Sequence, residues 1–180
     1  RVLVQTGHGA WFLNELRAYI SARSQGAELS VQMRPLTGLS VTSWVAYNRA
    51  RLIEDFPANV TAAGGPGQRL PFSARWTGNL TIDQQFPLGN ELTGFLGASL
   101  SHVGERRGSF VAGTARRQTF PSYEQIDLHA GVDIRSWRVS LYGNNIADER
   151  GAITGDPSVF PSGIVYIQPR TIGMSIARTF

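Results

Sequence analysis

The most informative segment of this chain is Arg170-Thr-Ile-Gly-Met-Ser-Ile-Ala-Arg-Thr-Phe180 at the carboxy-terminus. Large side chains, most of them apolar, alternate in it with small or polar ones. The residues of the large parity are Ile172, Met174, Ile176, Arg178 and Phe180. Because successive residues of a strand point to opposite faces, this pattern predicts a two-sided strand. The stretch also has the length of a transmembrane β-strand, about 9–11 residues.

The composition is typical of a protein made of many strands and turns. The chain of 180 residues holds 20 glycines and 9 prolines, and 42% of its residues are hydrophobic, which argues against disorder. Its length indicates one domain or a part of one. No apolar run approaches the roughly 18 residues of a membrane helix. Transmembrane β-strands need no such run, because their apolar and polar residues alternate. Cysteine is absent, which excludes disulfides and thiolate metal sites.

The basic residues are all arginine, and the formal net charge is +4. Codon bias is the simple explanation for the use of arginine without lysine. Guanidinium groups also suit phosphates and carboxylates better than ammonium groups do. A basic chain raises the question of nucleic acid. No basic helix, Cys/His finger or aromatic stacking motif accompanies the charge, so we expect no nucleic-acid partner.

Eight segments have the alternation of strands. They are residues 1–6, 18–34, 39–54, 72–87, 91–104, 123–135, 137–149 and 166–180. The clearest is the fourth, in which Phe72, Trp76 and Leu80 share one parity and polar residues such as Asp83 occupy the other. The connections alternate between long and short. This predicts an antiparallel meander with short turns at one rim and long loops at the other.

The polar parity distinguishes this sheet from a soluble one. It carries Glu28, Arg75, Asp83, Asp127 and Asp133. A small soluble barrel fills its interior with apolar side chains, and soluble strands are usually about five or six residues long. Aromatic residues near strand ends fit an interfacial girdle: Tyr19, Trp76, Phe86, Trp137 and Phe180. We therefore predict an all-β fold: an antiparallel up-and-down transmembrane β-barrel segment with about eight strands, short periplasmic turns and long extracellular loops.

Four segments, in this order, resemble the carboxy-terminal part of the barrel of TonB-dependent outer-membrane receptors. They are Ala22-Arg-Ser-Gln-Gly-Ala-Glu28, Leu70-Pro-Phe-Ser-Ala-Arg-Trp76, Trp137-Arg-Val-Ser-Leu-Tyr-Gly-Asn-Asn-Ile-Ala-Asp-Glu-Arg150 and Pro169-Arg-Thr-Ile-Gly-Met-Ser-Ile-Ala-Arg-Thr-Phe180. Receptors of this family have a barrel of about 22 strands, an amino-terminal plug domain and a TonB box. The resemblance implies that residues 1–180 are one fragment, the last eight strands of such a barrel, and that the plug lies upstream of it.

The resemblance also implies a function and a location. A receptor of this family resides in the bacterial outer membrane and imports a scarce solute, such as a ferric siderophore, haem, cobalamin or an oligosaccharide. The implied partners are outer-membrane lipid and lipopolysaccharide, the TonB system acting through the plug, and the barrel assembly machinery. For that machinery Ile172, Met174, Ile176 and Phe180 would form the carboxy-terminal signal, from which Arg178 departs. Enzymatic activity and a cofactor are not expected.

The best candidates for ligand contact are two arginine pairs in the loop before the sixth predicted strand. They are Arg106, Arg107, Arg116 and Arg117. Guanidinium groups bind an anionic ligand or a lipopolysaccharide phosphate through bidentate hydrogen bonds, although a solvated loop would carry the same residues. The Asn144-Asn145 and Asp148-Glu149-Arg150 group is interpreted as ordering the end of a strand rather than contacting ligand.

Two other functions remain open from the sequence. Eight strands are enough to close a small barrel, so the chain could be a complete outer-membrane barrel with a structural or adhesive role. A barrel-wall hydrolase is a lesser alternative, because His129 shares a parity with Asp127 and Asp133. None of the three histidines has the spacing of a metal motif.

Overall fold

The computed structural model describes residues 2–12, 21–56, 64–108, 110, 118–156 and 163–179. These residues form strands β1 (Val2–Phe12), β2 (Ser21–Met33), β3 (Leu39–Leu52), β4 (Trp76–Gly89), β5 (Leu92–Val103), β6 (Arg106–Arg107), β7 (Thr119–Phe120), β8 (Tyr123–Ile134), β9 (Trp137–Asn144), β10 (Ala152–Asp156), β11 (Gly163–Tyr166) and β12 (Thr171–Arg178). In the described part of the chain, no helix is long and apolar enough to cross a membrane.

Eight strands form one antiparallel sheet in the order β1-β2-β3-β4-β5-β8-β9-β12. The remaining four strands form two small hairpins, β6–β7 and β10–β11, within long connections. The predicted eight-stranded meander is confirmed. Among the described residues β1 pairs only with β2, and β12 only with β9, so the sheet is open. The open sheet contradicts the alternative in which these eight strands close a small barrel.

The pairing register places the apolar parities of the strands on one continuous face. The opposed pairs include Leu29 with Val45, Leu80 with Leu100, Leu100 with Ile126, and Met174 with Leu141. Directly opposed residues of an antiparallel pair point the same way, so these side chains share a surface, which we call the outward face. It is largely exposed, and Leu141 retains 60% of its accessible surface. An apolar surface of this size requires an apolar phase beside it.

The opposite surface, the inward face, is polar. It carries Asn79, Asp83, Asp127 and Asp133 on strands β4 and β8. Asn79 donates to the hydroxyls of Ser99 and Ser101 at 2.9 and 3.0 Å, which links β4 to β5. Buried hydrophobic residues among those described are few: Ala50, Leu52 and Phe120. They lie where long connections fold over the sheet, so the described residues form no conventional core on either face of the sheet.

Short turns join β2 to β3, β4 to β5 and β8 to β9, all at one end of the sheet. Gly38, Glu91 and Arg135 have φ values of 77°, 60° and 53° there, the left-handed conformation that tight turns need. Nε of Arg135 lies 2.5 Å from Oε2 of Glu91, and the main-chain N–H of Arg135 donates to the main-chain carbonyl of Glu91. Two neighbouring turns are thereby joined. We call this end the short-turn rim and the other end the long-loop rim.

The predicted start of the fourth strand is wrong. The strand begins at Trp76 rather than at residue 72, because Phe72 has a φ of 57° and the chain turns before it. The N–H of Ser73 donates to the carbonyl of Leu70 across this turn. Phe72 therefore does not belong to the outward face. Its ring stacks on Phe120 at the long-loop rim, with 5.6 Å between centroids.

Other strand boundaries also differ from the prediction. The first strand continues to Phe12, well beyond residue 6. The seventh stops at Asn144 rather than at residue 149, because Asn145 takes a φ of 50°. The eighth begins at Thr171 rather than at residue 166, since β11 pairs with β10 instead of with β9. The four short strands were not predicted at all.

Aromatic side chains mark both ends of the apolar band. At the long-loop rim Tyr47 and Trp76 pack together with 4.8 Å between ring centroids. Phe86 and Trp137 lie on the outward face near the short-turn rim. This distribution agrees with the predicted interfacial girdle. Two further members of the predicted girdle, Tyr19 and Phe180, lie outside the described residues.

Candidate functional site

Three long connections meet at the long-loop rim and form one packed body. Phe120, with 1% of its surface exposed, lies at its centre. The N–H of Phe72 donates to the carbonyl of Arg107 at 2.7 Å. The guanidinium of Arg69 donates from Nε to the carbonyl of Ser73, also at 2.7 Å. We call residues 64–75, 104–108, 118–123 and 150–156 together the rim cluster.

Arg106 holds two parts of the rim cluster together. Its exposed fraction is 8%, and its guanidinium donates to the carbonyls of Ala152 and Ile153 in β10. It also lies 5.9 Å from the ring of Phe120 and 5.5 Å from that of Tyr123, within cation–π range. The predicted ligand contact of Arg106 stays a prediction. In the structure its guanidinium group points into the protein.

Of the two described members of the predicted set, Arg107 is the one that reaches solvent, with 42% of its side chain exposed. Its Nε lies 3.7 Å from Oε1 of Glu105, and Nη1 of Arg69 approaches the same carboxylate at 3.9 Å. Burial, and then the charge of Arg75, lower the pKa of the Arg69 guanidinium. Arg116 and Arg117 lie outside the described residues.

Replacing Arg106 by methionine is expected to loosen the rim cluster without unfolding the sheet. The variant keeps much of the side-chain volume but removes two hydrogen bonds that a charged group donates. Each loss lowers the stability of the rim cluster by up to about 3 kcal/mol. Chymotrypsin should cleave the long connections of the purified variant faster than those of the wild-type protein. The Arg107→Met variant changes a half-buried neighbour, and chymotrypsin should cleave it at the wild-type rate. Equal rates in both variants would contradict the role of Arg106.

Asn145 is a second organising residue at the same rim and has 1% of its surface exposed. Its side-chain amide donates to the carbonyls of Glu149 and Gln168, each at 2.9 Å. Its Oδ1 accepts the N–H of Glu149 at 2.9 Å, and its own N–H donates to Oδ1 of Asp127 at 2.8 Å. One residue thereby joins the end of β9, the turn that follows, the segment before β12, and β8.

The neighbouring Asp148 and Arg170 complete this arrangement. Asp148 has a φ of 53°, and its carboxylate accepts the N–H of Arg170 at 3.0 Å. The N–H of Ile146 donates to the carbonyl of Ile126 at 2.8 Å, which holds the turn against β8. The interpretation that Asn145 and Asp148 order the end of a strand is therefore confirmed.

The inward face carries a polar cluster close to the short-turn rim. Nε2 of His129 lies 3.0 Å from Oδ1 of Asp83. Arg138 donates from Nε and Nη2 to the two carboxylate oxygens of Asp133, at 2.7 and 2.8 Å, and lies over the ring of Phe95 at 4.9 Å. Asp83, His129, Phe95 and Arg138 border a concavity of about 750 Å³. Sequence reasoning missed the Asp83–His129 and Asp133–Arg138 pairs, because partners on different strands follow from the register alone.

The inward cluster does not have the arrangement of a hydrolase. His129 does share the inward face with Asp127 and Asp133, as the parity predicted. Its observed partner is Asp83, however, and no nucleophilic hydroxyl is hydrogen-bonded to it in the described part of the chain. Among those residues no group of three His, Cys, Asp or Glu side chains could hold a metal ion.

The predicted assembly signal lies on an edge strand. Ile172, Met174 and Ile176 of β12 are on the outward face and are exposed. Arg178 shares that face and lies 5.2 Å from the ring of Trp137 on β9. A cation–π contact at the rim explains how an arginine is accommodated there. The role in assembly stays a prediction, and Phe180 lies outside the described residues.

The family model for the TonB dependent receptor-like beta-barrel matches residues 7–146, more than half of the chain. The chain belongs to this family. The structural comparisons agree with a TonB-dependent receptor barrel. The ferric yersiniabactin uptake receptor FyuA from Yersinia pestis has a TM-score of 0.72 and 17% identity over 97% of this chain and 27% of its own. No curated protein matches the chain.

A second solved structure is similar. The siderophore receptor PiuA from Acinetobacter baumannii has a TM-score of 0.66 and 16% identity, over 87% of this chain and 21% of its own. The chain thus spans about a quarter of the length of the structures that it matches. The matched family and both structures are receptors rather than enzymes.

The family assigns the surroundings of each face. TonB-dependent receptor barrels lie in the bacterial outer membrane, so the outward face meets lipid and the inward face lines the lumen. Short turns of such barrels are periplasmic and long loops are extracellular. The short-turn rim is therefore the periplasmic end and the rim cluster is extracellular, as predicted.

Proposed function

We propose that the chain is part of the wall of a receptor that takes up an anionic ferric siderophore, with energy delivered through TonB. The family match supports active uptake, and the names of FyuA and PiuA support a siderophore as the ligand class. The observation that carries the proposal is the ordered extracellular cluster above a polar lumen wall. Such a cluster offers a preformed surface on which a large hydrophilic chelate could first bind.

Arg107 is the residue of the rim cluster that we propose for ligand contact. Its side chain is half-buried and reaches solvent, whereas Arg106 and Asn145 are buried and hold the surrounding loops. An arginine fork on such a support binds carboxylate or catecholate oxygens with less loss of conformational freedom than one on a free loop. Arg116 and Arg117, in the same connection, remain further candidates. Haem, cobalamin and oligosaccharides are the alternative ligands.

Uptake of radioactive iron by cells that carry or lack the full gene tests this proposal. Deletion should abolish uptake of at least one ferric siderophore, and removal of TonB should do the same in cells that express the receptor. Arg107→Gln is expected to raise KM for uptake by about threefold to tenfold, the loss of one charged hydrogen-bonding group. Arg34→Gln, at the periplasmic rim, should leave KM unchanged. Iron uptake that persists after deletion with every siderophore tried would contradict the proposed ligand class.

A further inference from the structure

Three arginines lie together on the outward face, away from the lumen and its ligand. Arg23 of β2 is directly opposite Arg51 of β3, and Gln25 is directly opposite Arg49. The register runs without a shift to the pair of Leu29 and Val45 lower on the same strands. All four polar residues therefore have the parity of the lipid-facing side chains.

Among the described residues, this cluster has no acidic side chain that would balance its charge. Like charges directly opposite each other on neighbouring strands are destabilising. In the described part of the chain no acidic side chain lies within ion-pair distance of Arg23, Arg49 or Arg51. Arg23 and Arg49 are exposed and Arg51 is half-buried. Three adjacent guanidinium groups that face outward, with no acidic partner among the described residues, form a surface that an anion from the membrane can stabilise.

The backbone gives the cluster a defined shape. With Ile53, Pro66 and Gly67, the arginines line a cleft of about 270 Å³. The N–H of Gly67 donates to the carbonyl of Leu52 at 2.9 Å, and Arg69 forms a β-bridge with Arg51. The turn that closes the cleft is thus held by main-chain hydrogen bonds against the end of β3.

The position of the cluster along the strand identifies the surrounding phase. It lies just beyond Tyr47 and Trp76, the aromatic pair at the extracellular end of the apolar band. Tyrosine and tryptophan in this position lie at the membrane–water interface. Arg49 is two residues further out, about 7 Å along the strand. Its guanidinium group therefore reaches the headgroups of the outer leaflet.

We propose that Arg23, Arg49 and Arg51, assisted by Gln25, bind a phosphate group of lipopolysaccharide in the outer leaflet. Guanidinium forks suit phosphate oxygens, and the cleft admits one such group. The Gln25 amide can donate to the same phosphate or to a sugar hydroxyl beside it. The site requires only the outer-membrane position of the barrel, so it does not depend on the identity of the imported ligand.

The test measures binding of purified lipid A to the full-length receptor in detergent. The variant is the triple replacement Arg23→Gln, Arg49→Gln and Arg51→Gln. The matched control replaces Arg34 and Arg135 by glutamine at the periplasmic rim. The triple variant is expected to bind diphosphorylated lipid A at least about tenfold more weakly than wild type, while the control binds normally. Wild-type receptor should show the same loss towards lipid A stripped of both phosphates.

Three outcomes would overturn the proposal. They are unchanged affinity in the triple variant, equal binding of dephosphorylated lipid A, and displacement of lipid A by equimolar phosphatidylglycerol or inorganic phosphate. The last result would mark a general anion site rather than one for lipopolysaccharide. Removal of like charges should leave folding intact, which a heat-resistant folded band on a gel verifies. If the triple variant does not assemble, Arg23→Gln and Arg49→Gln are measured singly, and wild-type affinity in both overturns the site.

Discussion

Replacing Leu141 by arginine is expected to destabilise the membrane-inserted barrel by about 2–4 kcal/mol, because the new charge would face hydrocarbon. Leu141 lies on the outward face between Ala130 and Met174 on the neighbouring strands. It is four residues from Trp137, about 13 Å along the strand, and thus near the middle of the apolar band. Water cannot reach an arginine at that depth without a defect in the bilayer.

The matched control is Ser140→Arg, one residue away on the same strand. Ser140 faces the lumen beside the polar concavity that Arg138 also lines. An arginine there remains hydrated, and we expect a cost below about 1 kcal/mol. Both stability changes are measured from the fraction of full-length receptor that folds into vesicles at increasing denaturant concentration. Equal destabilisation by the two substitutions would show that the assignment of the two faces is wrong.

Replacing Asn145 by alanine is expected to cost about 2–3 kcal/mol of stability at the extracellular rim. The substitution leaves the carbonyls of Glu149 and Gln168 and the N–H of Glu149 without their partner. An unsatisfied buried polar group costs about 1–3 kcal/mol. Alanine also tolerates the left-handed backbone at this position, φ 50°, less well than asparagine does.

Two further variants separate the causes. Asn145→Gly retains the left-handed backbone without strain but removes the same hydrogen bonds, so it should lose most of the same stability. Asn144→Ala changes a half-buried neighbour whose side chain makes no hydrogen bond within the described residues, and should be nearly neutral. Thermal unfolding of the purified receptor and protease cleavage of the connection before β12 provide the readouts. Wild-type behaviour of Asn145→Gly would contradict the role of its amide.

Alternation in the sequence predicted the sheet, because a period of two follows directly from strand geometry. The eight strands, their order and the faces of Leu80, Leu141 and Met174 were all obtained from it. The limits of strands were less predictable. Phe72 and Tyr166 fall inside predicted strands, yet both lie in extracellular connections. A change of backbone conformation, such as the positive φ of Phe72, leaves the alternation of residue types unchanged.

The candidate sites divide in the same way. The sequence singled out the arginines of the extracellular connection, but it could not distinguish Arg106 from Arg107. That difference arises because β10 supplies carbonyl acceptors to one guanidinium group and none to the other. The outward arginines were not singled out at all. Arg23 and Arg51 are far apart in sequence, and only the β2–β3 register brings them opposite each other.

Local alternation and short motifs are enough to predict a two-faced antiparallel sheet with one lipid-facing side and its place among TonB-dependent receptor barrels. Which polar groups meet could be read only from the folded chain: Asp83 meets His129, Arg106 meets β10, Asn145 meets four segments, and Arg23 meets Arg51. Such contacts join residues across strands and loops, so their existence depends on register and loop packing, which local residue patterns do not encode.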